Sequence, residues 1–584
     1  MYTSDLILEH FSLPIKLIKN VKEIDDTVID ELECIQSKDM KIKPMYHYVF
    51  SPDNVFSEIV LNQWAKYYTT DKRFLTDSIQ LYKTYKPIKP IVLDASIEDT
   101  WKTIKNDNGF IEKYQYIDWE HIKIFNKSSL FLFYLSVYTI LSPVLSLITP
   151  IMFLFLPFLV LKLKGIPITL NKYTEVLKTI VQRHAIGAFF TNFTSANLKE
   201  KMSLIASVGF YCFQMYQNIL ICYRFMMNFK LIHDYIDQLR SYLHTVKDNM
   251  DEYQLAIHSL RSYEPFHNKL QEKKKEVETM LVSLDAIQPL SFSVNNFLDT
   301  GKLMKEFYML HDNYSLQNTL AYCFGFTGYL QNIVKLQSNK HIHYCTYSNK
   351  KLTFTKAYYP PLIESKGTVK NSYELKKNYI ITGPNASGKT TLLKTTFLNV
   401  LFSQQFGGGF YEKATIMPQD HFYCYINIPD TSGRDSLFQA EARQCKKILD
   451  KINKEPNESH FIIFDELYSG TNPYEASASA YGYLKYLKQK KNVRFMLTTH
   501  FIDLCSNLKS QKAISNKHMK TSYQDKKLFY HYKLTSGISD IKGGLQVLYD
   551  LDYPKIITDE ANHILIGNHS SSHLKCKKRE KIVQ

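Results

Sequence analysis

The stretch Tyr379-Ile380-Ile381-Thr382-Gly383-Pro384-Asn385-Ala386-Ser387-Gly388-Lys389-Thr390-Thr391-Leu392-Leu393 tells what kind of domain the C-terminal part of the chain builds. An apolar run suited to a strand, a glycine-bounded turn of the form G-x-x-x-x-G-K-T and a helix-forming run follow one another, the order a phosphate-binding loop needs. The glycines let backbone N–H groups close around phosphate oxygens at a helix N-terminus. Lys389 supplies a point charge to the β and γ phosphates, and the Thr390 hydroxyl is placed to ligate Mg²⁺. The expected nucleotide contacts are therefore Gly383, Pro384, Asn385, Ala386, Ser387, Gly388, Lys389, Thr390 and Thr391, with ATP and Mg²⁺ as cofactors.

Downstream, Phe461-Ile462-Ile463-Phe464-Asp465-Glu466 reads as a buried strand ending in two carboxylates. Asp465 is placed to hold Mg²⁺ through water, and Glu466 one residue further on to act as general base toward the attacking water. A third strand, Val493-Arg494-Phe495-Met496-Leu497, runs into Thr498-Thr499-His500 and brings an imidazole toward the γ-phosphate. Between these lies Ser432-Gly433-Arg434-Asp435-Ser436-Leu437-Phe438-Gln439-Ala440-Glu441, a small-residue turn opening a helix. That is a second phosphate-facing N-terminus, and within one chain it has no phosphate to face. Two chains meeting head to tail would give it one.

These pieces resemble the MutS family of DNA mismatch-repair ATPases, which carry an ABC-type nucleotide-binding domain. The matching residues are Thr382-Gly383-Pro384-Asn385, Gly409-Phe410 with Ala414, Ser436-x-Phe438-x-x-Glu441, Asp465-Glu466-x-x-x-Gly470-Thr471 and Thr499-His500, with a weaker match from Gly537 to Pro554. The resemblance covers roughly residues 346 to 565 and implies that Ser436 acts in trans on a partner's ATP, that His500 senses the γ-phosphate and that Tyr532 stacks on adenine. It also implies DNA as a partner and a homodimer or a MutS-like heterodimer as the working form. The family's mismatch reader, an aromatic and a glutamate in a Gly-x-Phe-Tyr-Glu setting, has no equivalent here. The nearest string, Phe56-Ser57-Glu58, lacks the glycine and reads as part of an apolar-faced helix.

At 584 residues the chain is long enough for several cores, and its net charge of +16 favours an acidic partner, nucleic acid or an anionic membrane surface. The nine cysteines are scattered without a C-x-x-C pair, as expected of reduced thiols on a cytosol-facing protein. His341-x-His343-x-Cys345 has the alternation of an ordinary strand face and lacks a fourth ligand, so no metal is expected there. No cleaved signal peptide is expected at the N-terminus.

From Ser128 to Leu161 no residue is charged. The stretch is longer than one span needs, and it predicts a membrane hairpin of two short helices turning at Ser142-Pro143, with lysines on both flanks facing the cytoplasm. A second uncharged run, Met202 to Tyr223, has Gln214, Gln217 and Asn218 in its middle and reads as a buried helix. After it, Ile232, Ile236, Leu239, Leu243, Val246, Met250, Tyr253, Ile257 and Leu260 form a heptad seam, the mark of a long helix packed on neighbours and suited to a lever. The lysines at 269 and 273–275 are diluted by glutamates and read as a solvated face.

The expected fold is thus an α/β P-loop (ABC-type) ATPase domain at the C-terminus, preceded by an all-α lever or core region, a membrane hairpin and a small N-terminal domain. The segments are 1–120, mostly helical; 121–170, the hairpin; 171–345, the helical core and lever; 346–565, the ATPase; and 566–584, a basic disordered tail. The expected function is a MutS-family, ATP-dependent DNA-binding ATPase of the mismatch-repair or damage-sensing type, tethered to a membrane lipid bilayer with its ATPase domain toward the cytoplasm. The alternative is a membrane-anchored mechanochemical or scaffold ATPase that has lost mismatch recognition.

Overall fold

The computed structural model describes residues 2–87, 95–106, 109–290, 294–365, 367–426, 436–524, 527–539, 541 and 543–564. Residues 432–435 of the small-residue turn and the tail 566–584 lie outside the described residues. Two compact units are present, one made of Met1–Leu6, Ile88–Asp251 and Gln271–Cys323, the other of Ile7–Pro87, Glu252–Leu270 and Phe324–Gln584. This division follows packing and cuts across the five consecutive segments suggested by the sequence.

The first unit is helical. Its helix α1 (Ser129–Leu163) runs unbroken through Ser142-Pro143, so the expected hairpin turn does not form. Proline removes one N–H and leaves the carbonyl four residues back without its helical donor. Ser142 Oγ donates to the Thr139 carbonyl behind Pro143, at 3.1 Å. The Ser146 carbonyl behind Pro150 accepts from Tyr211 Oη at 2.8 Å. With those carbonyls satisfied, an apolar helix continues past its prolines.

Tyr211 belongs to α2 (Leu198–Ile257), a helix of 60 residues that carries the heptad seam. Every residue of that seam is buried, from Ile232 at 1% exposure to Leu260 at 6%. Arg240, off the seam, donates to the Ile287 carbonyl at 2.8 Å and pairs with Asp237. Beyond Pro265, Lys273 pairs with Glu276 and Lys274 with Asp251, so those ammonium groups are neutralised in place. Helix α3 (Val294–Asp312) packs on the start of α1 at Gly301, where an added Cβ would lie 2.0 Å from the Ser129 carbonyl oxygen.

The second unit is built on a six-stranded sheet of β1 (Asn378–Thr382), β2 (His421–Tyr425), β3 (His460–Asp465), β4 (Val493–Thr498), β5 (Ile514–Gln524) and β6 (Lys527–Ser536). The order is β2-β3-β4-β1-β5-β6, with β6 antiparallel at the edge and the other neighbours parallel. The continuous apolar strands match a sheet covered on both faces. Helix α4 (Lys389–Gln405) follows β1, with Leu393, Phe397, Leu398 and Leu401 fully buried. A crevice at the carboxyl ends of β1, β3 and β4 is where such sheets hold ligands.

The N-terminal residues join this unit through the far end of α4. Gln404 and Gln405 are fully buried. Their side-chain amides donate to the Thr69 carbonyl at 3.1 Å and the Trp64 carbonyl at 2.7 Å, and Gln405 Oε1 accepts from Tyr46 Oη at 2.5 Å. Residues 7–87 are therefore packed into the second unit, which corrects the expectation of a separate N-terminal domain. Phe56 is 2% exposed and stacked on Phe324 at 4.5 Å, and Glu58 pairs with His47 at 2.9 Å. That ring is a core element and presents no face to a base.

Replacing Gln405 by leucine leaves the Trp64 carbonyl and the Tyr46 hydroxyl unpartnered in a dry core. The Gln405→Leu variant should lose about 2–3 kcal/mol of stability, read as a lowered midpoint in urea unfolding.

Candidate functional site

The turn between β1 and α4 adopts the backbone that its glycines permit. Gly383 has φ 151°, Ala386 60° and Gly388 91°. A Cβ at Gly388 would come within 3.2 Å of the Tyr532 ring, so both conformation and close approach require glycine. Ser387 Oγ is buried and has no hydrogen-bond partner in the structure. An orphaned polar atom inside a glycine-rich turn suits an anionic ligand held by that turn.

Lys389 is 6% exposed, and its Nζ donates to the carbonyls of Gly383 at 3.0 Å and Pro384 at 3.2 Å. The same ammonium lies 3.1 Å from His500 Nε2. Burial pushes Lys389 below the usual lysine range, and the charges of Glu466 and Asp465 oppose that shift. His500 Nε2 also lies 3.0 Å from Glu466 Oε1. One ring nitrogen cannot accept from the lysine and donate to the carboxylate at once, so whether Nε2 carries a hydrogen decides which of the two contacts is made. The hydrogen bond from His500 holds the Glu466 carboxyl below its ordinary value, against burial, with the charges of His500 and Lys389 acting in the same direction.

Asp465, the last residue of β3, accepts from Thr390 Oγ1 at 2.9 Å and from Thr498 Oγ1. The carboxylate and the loop threonine thus form an oxygen donor set suited to a hard cation such as Mg²⁺. Glu466 leaves the strand with φ 54° and donates its N–H to the Thr498 carbonyl at 3.2 Å, which turns its side chain out of the ladder.

A cleft of about 540 Å³ opens beside the loop, lined by Asn385 through Thr391, by Glu466 and by Tyr359, Met519 and Tyr532. Tyr532 has φ 53°, and its carbonyl accepts from Asn371 Nδ2 at 2.9 Å. Pro384 and Gly383 face a smaller cavity of about 260 Å³ shared with Thr499 and His500.

Ser436 is separate from this cluster within the chain. It is exposed and caps α5 (Leu437–Lys454), accepting from Gln439 N–H at 3.3 Å while Gln439 Oε1 accepts from Ser436 N–H at 3.0 Å. The helix is fixed by Glu441, whose carboxylate accepts from Ser469 N–H at 3.0 Å, Ser469 Oγ at 2.9 Å and Gly470 N–H at 3.1 Å. Glu441 is 2% exposed, and Gly470 has no room for a Cβ beside Leu437. One carboxylate thereby couples the start of α5 to the loop leaving Glu466.

Sequence reading placed Lys389, Thr390, Asp465, Glu466 and His500 together, and they meet in one cluster. It passed over Thr498, whose hydroxyl has no distinguishing pattern, and gave Glu441 no role. The latter was legible: Glu441, Cys445, Ile448 and Ile452 share the buried stripe of α5, and an acid on such a stripe needs several donors. Among the described residues, His341, His343 and Cys345 do not converge as ligands.

Residues 379–567 match the family model of MutS domain V. The C-terminal region of this chain belongs to the MutS family. A DNA mismatch repair protein MutS from Staphylococcus epidermidis is 30% identical over 189 residues, which is 32% of this chain and 21% of that protein. One from Bacteroides fragilis is 32% identical over 32% of this chain and 22% of its own length. The DNA mismatch repair protein MSH7 of Arabidopsis thaliana is 28% identical over 32% of this chain and 17% of its own length. The chain thus aligns with about a fifth of the curated relatives' length, and the matched residues include Gly383–Thr391, Ser436, Glu441, Asp465, Glu466, Thr498, His500 and Tyr532, while Tyr359 and Asn371 lie outside them.

Removing the Glu441 carboxylate takes the acceptor from two part-buried N–H groups and a hydroxyl. Glu441→Ala should lower stability by about 3 kcal/mol, measured by thermal unfolding, with Glu441→Gln losing roughly half as much because one acceptor oxygen remains.

Proposed function

We propose that this chain is an ATPase of the MutS type, in which ATP binding closes two copies, or this chain and a MutS-like partner, on each other and hydrolysis reopens them. We place it at a membrane, with the ATPase toward the cytoplasm, serving DNA mismatch repair or damage sensing. The observation that carries the ATPase reading is the meeting of Lys389, Asp465, Glu466 and His500 around the turn 383–390.

In this reading the N–H groups from Gly383 to Thr391 cradle the phosphates, and Lys389 exchanges its resting carbonyl acceptors for phosphate oxygens. Thr390 and Asp465 hold Mg²⁺, which when bound supplies positive charge to the phosphate oxygens. Glu466, kept ionised by its hydrogen bond from His500, takes a proton from the attacking water. His500 then turns its donor to the γ-phosphate, so the nucleotide and Glu466 compete for one imidazole N–H. Tyr532 offers a ring for adenine at the cleft wall. Ser436, exposed at the N-terminus of α5, reaches the nucleotide of the partner chain.

DNA enters through the charge of +16 and through the relatives, which are named as DNA mismatch repair proteins. The buried Phe56 favours a second reading, a membrane-anchored scaffold or mechanochemical ATPase without mismatch recognition. The tether is α1, whose window Ser129–Ser146 has a mean hydropathy of 1.6.

Lys389→Ala should abolish most ATP binding in an equilibrium titration, while Glu466→Gln should keep binding and slow hydrolysis by orders of magnitude. Equal loss of binding in both variants contradicts the two roles. Ser436→Arg should leave binding intact and remove ATP-dependent dimers in sedimentation.

Short duplex DNA should bind with a steep salt dependence and raise the ATPase rate, with less than about tenfold preference for a mismatch. A rate indifferent to DNA at low salt selects the scaffold.

A further inference from the structure

The two long helices of the first unit are free of charge over the same length of their contact. In α1 the uncharged stretch is Ser128 to Leu161, and in α2 it is Met202 to Tyr223. The Ile140 carbonyl lies 3.7 Å from Cys222 Sγ, and Ser146 meets both Tyr211 and Asn218. As numbers fall along α1 they rise along α2, so the helices are antiparallel and the uncharged stretches lie side by side. By that register Lys162 and Lys164 come level with Lys199 and Lys201, and Tyr138 comes level with Tyr223 and Arg224.

Both ends of this belt have the chemistry of a membrane interface. Tyr138 and Tyr223 are 65% and 62% exposed at one end, the place where tyrosines sit at the headgroup level. The four lysines at the other end match anionic headgroups, and the helix Leu170–Arg183 that follows them packs back on α1, which brings His184 to 5.1 Å from the Tyr211 ring. Between the ends, Phe155 and Leu159 on α1 and Phe210, Phe213 and Ile219 on α2 are half or more exposed. From Ile140 to Leu161 the rise is about 32 Å at about 1.5 Å per residue, close to a hydrocarbon thickness of about 30 Å.

The polar groups inside the belt are satisfied between the helices, as hydrocarbon requires. Asn218 Nδ2 donates to Ser146 Oγ at 2.7 Å, and the carbonyl that Pro150 leaves without a helical donor accepts from Tyr211. The amides that made Met202 to Tyr223 read as a buried soluble helix therefore include the residue that joins it to α1. Gln214 is exposed and opposes insertion, but it is an uncharged amide, far less costly in a bilayer than a charge.

We propose that α2 is a second membrane span, and that residues 140–161 and 202–223 cross one lipid bilayer as an antiparallel pair. The turn 194–197 then lies on the face opposite the two chain flanks. The inference rests on the membrane reading of α1, and the test separates the two.

A tobacco etch virus protease site is placed in the exposed turn 194–197 of the full chain, and retained ATPase activity shows that the variant folds. Inside-out vesicles from an expressing bacterium are treated with the protease before and after detergent. We expect carbonate-resistant protein that is cut only after detergent. Cutting in intact vesicles with carbonate resistance preserved overturns the second span and leaves the tether standing; release by carbonate overturns the membrane reading itself, whether the released chain is a soluble dimer through this face or a monomer. In the same background, Ser146→Cys with Asn218→Cys should hold the two cut fragments together on a non-reducing gel after oxidation. Fragments that separate would overturn the pairing.

Discussion

The carboxylate of Asp465 fixes the geometry on which the candidate site depends. It accepts the hydroxyls of Thr390 and Thr498, joining the end of β3 to the first turn of α4 and to the end of β4. The ladder sets Asp465 opposite Thr498, so both oxygens of the carboxylate find donors without bending a strand. Glu466 then has to leave the sheet one residue later, and its left-handed backbone carries its carboxylate toward His500. A second acid, the buried Glu441, repeats the device by tying α5 to the loop that follows Glu466.

The second unit uses buried polar side chains more generally to specify which segments pack together. Apolar burial drives collapse but is indifferent to partner, whereas a buried amide is satisfied in few arrangements. Gln404 and Gln405 act in this way at the end of α4, where their amides accept no substitute for the carbonyls of Thr69 and Trp64. The same helix therefore follows the glycine-rich turn at its start and carries the anchor of residues 7–87 at its last turn.

The first unit follows a different rule. Its long helices leave large apolar side chains outside, and some of the polar groups they contain are paired between the helices, Asn218 with Ser146 and Tyr211 with the Ser146 carbonyl. Water-soluble helical bundles place polar groups outward, so the arrangement is inverted with respect to them. Further along α2 the ordinary rule returns, with the heptad seam buried and Arg240, Lys247 and Asp251 outside it in ion pairs.

The sequence by itself determined the strand, loop and helix order around Gly383–Thr390, the acids Asp465 and Glu466 at the end of a buried strand, and the seam from Ile232 to Leu260. These are local properties: glycine placement, apolar runs and 3.5-residue spacing are written in neighbouring residues. Only the tertiary structure decided that residues 7–87 join the second unit, that Phe56 is core, that Thr498 and Glu441 hold the site, and that α1 continues through its prolines. Each of those depends on a donor or acceptor far away in the chain or on space left by another element. A proline reads locally as a turn, but whether it breaks a helix depends on who takes the carbonyl it leaves behind, and here one of the takers, Tyr211, is 65 residues from the carbonyl it satisfies.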